Sequence, residues 1–192
     1  MFGLTPKKQK FKLVTTIADV PESRRNPIHT IVMHHTASAP DVTAETIEQW
    51  HIARGFSTIG YHFLVLRNGL IQVGRDVDKI PASVKGHNKG TVAFAVVGNF
   101  SIESCPTRLD PQARATGLLI AKLMSQYLDA DFKFHRELTS TECPGNFLLK
   151  TVVESYAKFV RGQFMDWSDW YDGHVEAFDS LHPGFKYTSE VQ

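Results

Sequence analysis

Apolar residues along this chain fall into short continuous runs that alternate with stripes at helical spacing. Ile28-His29-Thr30-Ile31-Val32-Met33-His34-His35 is a β-branched run ending in polar residues, which predicts a buried strand. Asp41 and Thr43 offer N-caps for a helix reaching about Arg54, with Gly55 as its stop and with Ile47 and Trp50 facing the core. Tyr61 to Leu66 and Leu70 to Val73 are two apolar runs joined through Asn68-Gly69, a strong local signal for a hairpin. Thr91 to Gly98 is apolar nearly throughout and is expected at the centre of a sheet.

The second half continues the alternation. Asp110-Pro111 opens a helix to about Tyr127, with Ala115, Leu118, Leu119, Met124 and Tyr127 at helical spacing. Phe132 to His135 reads as one more short strand. A helix from about Asn146 to Val160 follows, with Leu148, Val152, Tyr156, Phe159 and Val160 along one face. The order predicts an α/β domain with a single central mixed β-sheet flanked by helices.

Two flanking segments read differently. Residues 1–27 are basic and contain three prolines, which predicts an arm preceding a domain at 28–162. Residues 163–192 form an acidic, aromatic extension. There Trp167, Trp170, Tyr171, Val175, Phe178 and Leu181 recur at helical spacing, interrupted by Gly173. This C-terminal helical extension is expected to fold back onto the domain, because about 30 residues without disulfide or metal bury too little to stand alone.

Composition changes the picture only at the ends. The net charge of the 192 residues is +1, which gives no support for nucleic-acid binding. Residues 1–25 carry six Lys/Arg against two acids, and residues 163–192 carry six acids against Lys186. The arm is therefore expected to help in binding an anionic polymer. No apolar run reaches the ~18 residues of a transmembrane span. MFGLTPKKQKFKLV lacks the apolar core of a secretory signal, so synthesis in the cytoplasm is expected. Two cysteines, Cys105 and Cys143, provide no disulfide framework; a single bridge between them is the alternative to a chemical role for Cys143.

Position singles out a few of the nine histidines. His34 ends a strand just before Thr36-Ala37-Ser38. His135 ends another, and Cys143 follows eight residues later, directly before Pro144-Gly145. Two imidazoles and a thiolate are donors that zinc prefers, and three protein ligands with a fourth position left open are the catalytic pattern. A buried thiol among incidental histidines is the plain alternative.

The ordered set His34-His35-Thr36-Ala37-Ser38, Gly60-Tyr61-His62-Phe63, Gly98-Asn99-Phe100, His135-Arg136-Glu137 and Thr141-Glu142-Cys143-Pro144-Gly145 resembles the type 2 N-acetylmuramoyl-L-alanine amidases. That family includes phage endolysins and the animal peptidoglycan recognition proteins, and the likeness covers roughly residues 28–160. The resemblance implies zinc held by His34, His135 and Cys143, with His35 outside the ligand set. It implies a catalytic Tyr61 that assists proton transfer and a Thr141 that donates to the developing oxyanion. Substrate contacts are expected from His62, Arg75 and Asn88.

The substrate would be peptidoglycan, cut between N-acetylmuramic acid and L-alanine, by a monomeric endolysin reaching the wall after the membrane is breached. One departure stands out. The family's Gly-x-His-x-x-Gly-Tyr-Asn stretch reads Pro81-Ala82-Ser83-Val84-Lys85-Gly86-His87-Asn88 here, with Ser83 where the substrate-contacting histidine would stand and His87 in place of a tyrosine. Two competing readings are a peptidoglycan-binding receptor without activity and a cytosolic amidase for recycled muropeptides. Cys143 and Tyr61 argue against the first, and Cys143 and Thr141 against the second.

Overall fold

The computed structural model describes residues 11–14, 16–25, 27–103 and 111–145. The helix expected over 146–160, the extension 163–192, Cys105 and residues 1–10 lie outside the described residues. Six strands form one sheet: β1 (Leu13–Val14), β2 (Thr30–His35), β3 (Phe63–Val65), β4 (Ile71–Val73), β5 (Thr91–Val96) and β6 (Asp131–Phe134), in the order β1-β4-β3-β5-β2-β6. β2 runs parallel to both β5 and β6, and β3 runs parallel to β5. β4 is antiparallel to β3 and to β1, so the sheet is mixed, as the alternation of patterns predicts.

Strand alternation divides the core. Ile31, Met33, Phe63, Val65, Val92, Phe94 and Val96 face the helix α2 (Pro111–Gln126), which contributes Leu119, Ile120 and Leu123. Leu64, Ala95 and Val97 face the helix α1 (Ala44–Ala53), packed through Ala44 and Ile47. Both faces of β5 are thus covered, which explains its unbroken apolar run. Leu118, expected on the inner stripe of α2, is only half-buried.

Helix α1 corrects two expectations. Thr43 is its N-cap but makes no side-chain capping bond; the Ala44 N–H is instead taken by Gln72 Oε1 of β4 at 2.8 Å. Trp50 is 38% exposed, because Ala44, Ile47 and His51 form the inner stripe and Trp50 falls beside it. His51 occupies the inward position that an apolar residue would normally take.

The boundary expected at residue 27 falls inside the packed unit. β1 adds a strand to the sheet edge, Leu13 opposite Gln72 and Val14 opposite Ile71, and Lys12 O accepts the Val73 N–H at 2.8 Å. Phe11, Val14 and Val20 are all under a tenth exposed. The Ser23 N–H donates to the Tyr127 hydroxyl at 2.6 Å, and Arg25 donates to Val77 O and Thr91 O. Basic residues had masked these sparse apolar anchors.

His62 belongs to this framework and not to a substrate surface. It is fully buried; its Nδ1 accepts the Ala93 N–H at 3.1 Å, and its Nε2–H donates to Lys79 O at 2.9 Å. Those partners require the neutral ring, and burial pushes its pKa down to about 4. Among the described residues no helix is long and apolar enough to cross a membrane.

Two outcomes are expected. Burying three side chains such as Phe11, Val14 and Val20 contributes on the order of 6 kcal/mol, against a net stability of about 5–15 kcal/mol. A chain beginning at residue 26 should therefore melt roughly 15 °C lower or fail to fold, as followed by circular dichroism. For His62, the unfolded chain binds a proton near pH 6.5 that the folded chain refuses until about pH 4. The stabilisation is complete above pH 6.5 and is lost as pH falls toward 4, by roughly 3 kcal/mol in all. Urea unfolding at pH 7 and pH 4 should show a smaller loss on acidification in His62→Leu than in the wild type.

Candidate active site

The site sits where the parallel strands end, the usual place for ligands in sheets of this kind. β2 and β6 are in register with Met33 opposite Phe134, so the next residues on each, His34 and His135, come abreast. His135 opens a short 3-10 turn, His135–Glu137, and its ring centroid lies 4.5 Å from that of His34. Alternation along β2 sends His34 to the α1 face and His35 to the α2 face. The doubled histidine is therefore one site residue and one framework residue.

Cys143 arrives from the following loop. The Arg136 N–H donates to Cys143 O at 2.9 Å, and the Cys143 N–H donates to Thr141 Oγ1 at 3.3 Å. The Cys143–Pro144 peptide is cis, and Gly145 has φ +74°. Sγ lies 3.7 Å from His34 Nδ1 and accepts the His35 N–H at 3.4 Å. Ligand atoms of His34, His135 and Cys143 all fall within 4.8 Å of one another.

These donors fit zinc on three grounds. Zn–S and Zn–N bonds of about 2.3 and 2.05 Å at a tetrahedral angle place sulfur and nitrogen about 3.5 Å apart, close to the Sγ–Nδ1 separation. His34 is 1% exposed, so its Nδ1 faces the Cys143 sulfur shielded from bulk water. Burial, then the neighbouring His135 and His35, hold the His34 pKa well below 6.5, so the ring is neutral and its lone pair is available. Burial likewise lowers the His135 pKa. It raises the Cys143 thiol to about 11, partly offset by the His35 N–H and by Arg136, so a cation is needed to hold the thiolate.

Tyr61 flanks the cluster, its ring 5.1 Å from that of His34. Burial, then the sulfur of Cys143, push its hydroxyl pKa up, and the phenol keeps its proton at neutral pH. Its backbone is gripped on both sides. The Gly60 N–H donates to His51 Nδ1 at 2.9 Å, and the Arg75 N–H donates to Tyr61 O at 2.7 Å. A Cβ on Gly60 would overlap the Ala82 carbonyl, so only glycine lets the loop at 82 close over this segment. The His51 ring lies 5.4 Å from Tyr61 and 5.1 Å from Phe56. Sequence reasoning passed over His51; its signal was a histidine four residues after Ile47 on the apolar stripe of α1.

Of the residues expected to contact substrate, none joins the cluster. His62 is fully buried, with both ring nitrogens bonded to backbone at Ala93 and Lys79. Arg75 Nη1 donates to Ile59 O at 3.2 Å, so the side chain braces the segment carrying Tyr61. Asn88 Oδ1 accepts the N–H groups of Ser83 and Val84 at 3.0 and 2.9 Å, which closes the 83–88 loop. Thr141 stands two residues from the ligand sulfur, with its hydroxyl accepting from Cys143 and its own proton left to donate.

Residues 24–146 match the Amidase_2 family, described as N-acetylmuramoyl-L-alanine amidase. The endolysin of Klebsiella phage KP32 is 32% identical over 132 residues, which cover 67% of this chain and 87% of that protein. Among solved structures, the Ph2119 endolysin from the Thermus scotoductus MAT2119 bacteriophage superposes with a TM-score of 0.64 at 34% identity, covering 72% of this chain and 90% of that one. Drosophila peptidoglycan recognition protein SD superposes with a TM-score of 0.59 at 25% identity, over 68% of this chain and 82% of that one. The matched stretch holds His34, Tyr61, His135 and Cys143 together, and the chain belongs to the N-acetylmuramoyl-L-alanine amidase family.

Proposed function

We propose that the protein is a zinc-dependent endolysin that hydrolyses the amide between N-acetylmuramic acid and L-alanine in peptidoglycan. The observation that carries this reading is the convergence of His34, His135 and Cys143 at one point beside Tyr61. When bound there, zinc supplies Lewis acidity and brings the pKa of water to about 7.

The chain's own groups do the rest. The protonated Tyr61 phenol orients the attacking water and relays the proton that the water loses, giving up its own to the departing L-alanine nitrogen as it accepts. The Thr141 hydroxyl donates to the oxygen of the scissile carbonyl as charge develops on it, a contribution of about 3 kcal/mol when preorganised. His51 and Arg75 keep Tyr61 in place, and Asn88 shapes the wall formed by the 83–88 loop. The substrate is the cell wall, reached after the membrane is breached, as the likeness to phage endolysins supports. Peptidoglycan recognition proteins among the relatives raise a second reading, binding without cleavage. Digestion of purified sacculi separates the two: new L-alanine amino termini identify the amidase, and retention on the sacculi without new termini identifies a receptor.

Cys143→Ser should lose both the single bound zinc and the activity, because a neutral hydroxyl is a poor zinc ligand. An active, zinc-free variant, by metal analysis and sacculus digestion, overturns the ligand assignment. Tyr61→Phe should keep zinc yet lose about 10²–10⁴-fold in rate. A rate within threefold of the wild type would make Tyr61 a packing residue only.

A further inference from the structure

The cysteine loop is tied to a side chain that points away from the cluster. We propose that His35 is a positioning residue for the Cys143 ligand, setting the sulfur through the backbone of Phe100 and Gly145; this rests on the zinc reading above. The His35 ring lies on the α2 face, where Nδ1 accepts the Phe100 N–H at 3.1 Å. That bond pins the turn after β5 against the end of β2. The Phe100 side chain is itself fully buried, with the Arg67 guanidinium 5.5 Å over its ring.

Gly145 rests directly on this turn. A Cβ there would lie 2.6 Å from the Ser101 nitrogen and closer still to the Phe100 carbonyl. The segment 143–145 therefore settles only where the Phe100–Ser101 backbone permits. Arg136 holds it from the other side, its N–H on Cys143 O and its guanidinium on Gly145 O. The circuit closes at its starting residue, because the backbone N–H of His35 donates to Sγ at 3.4 Å. The His35 ring thus fixes the turn, the turn fixes Gly145, and Gly145 fixes where the sulfur meets the His35 N–H and His34. A metal site tolerates displacement of only about 0.5 Å before its geometry degrades. Groups behind the ligands accordingly govern affinity.

A histidine that merely fills the core would affect stability and leave zinc alone, so zinc affinity is the discriminating measurement. His35→Leu keeps the volume and removes the acceptor for the Phe100 N–H; His35→Asn offers an acceptor again. Zinc dissociation constants of the full chain are measured by competition with a chromogenic chelator, with circular dichroism to confirm folding. His35→Leu should bind zinc about 10–100-fold more weakly, His35→Asn should recover most of the loss, and the core variant Leu123→Ala should match the wild type. A folded His35→Leu protein with wild-type affinity overturns the proposal, as does equal weakening in Leu123→Ala. If His35→Leu does not fold, Gly145→Ala presses on the same contact; weakened zinc binding there supports the proposal and unchanged affinity overturns it. A wild-type chain that binds no zinc overturns the zinc reading itself, a separate result that removes the basis for the inference.

Discussion

The register of β2 between β5 and β6 is the constraint on which the site depends. β2 is hydrogen-bonded in parallel on both sides, with Met33 level with Phe94 and with Phe134. A slip of one residue would exchange the faces of His34 and His35 and part His34 from His135. Such a slip is prevented by the core, because it would also turn Ile31 and Met33, both fully buried, away from α2. The ordinary packing of the α2 face thereby fixes ligand geometry on the α1 face.

That geometry is held under electrostatic tension. The donors sit in surroundings that favour neutral histidines and a protonated thiol, the His34 ring most strongly. A lone pair on neutral imidazole is ready for a cation, whereas the sulfur must give up its proton on binding. The same burial that disfavours the charged thiol keeps the Tyr61 phenol protonated. One physical cause, removal of water from the strand ends, thus prepares both ligand and proton-donor groups. Under the zinc reading, coordination would offset part of the cost of burying these polar groups and so add to folding stability.

Much of this was legible in the sequence, and the failures have identifiable causes. Long apolar runs announced β2 and β5, and Asn68-Gly69 announced the hairpin, because each rests on local chemistry. Positions at strand ends and before Pro144-Gly145 made His34, His135 and Cys143 candidates, and the ordered family motifs singled them out. Residues 11–25 were misjudged because an edge strand of two residues needs few apolar anchors, and lysines and prolines dominated the pattern. Trp50 was placed inward by size, yet the stripe of α1 runs through His51. His62 and Asn88 look like ligand-binding residues in a linear reading. Their partners, backbone groups at Ala93, Lys79, Ser83 and Val84, are visible only once the chain is folded.

The two loops that complete the site share one device. Gly60 and Gly145 each let one backbone approach another more closely than a side chain would allow, at Ala82 and at Phe100–Ser101. Tyr61 follows the first glycine and Cys143 stands two residues before the second, so close backbone contact joins the side-chain bonds of His51, Arg75, His35 and Arg136 in locating both chemical groups. Backbone contacts have few alternative arrangements, which suits groups that must meet within fractions of an ångström. The 83–88 loop is built differently: Asn88 closes it on itself through a side chain, and the Ser83 hydroxyl within it is buried without a partner. Ser83 and His87 lie beyond Ala82, outside the close backbone contacts of Gly60 and Gly145 that help to place Tyr61 and Cys143.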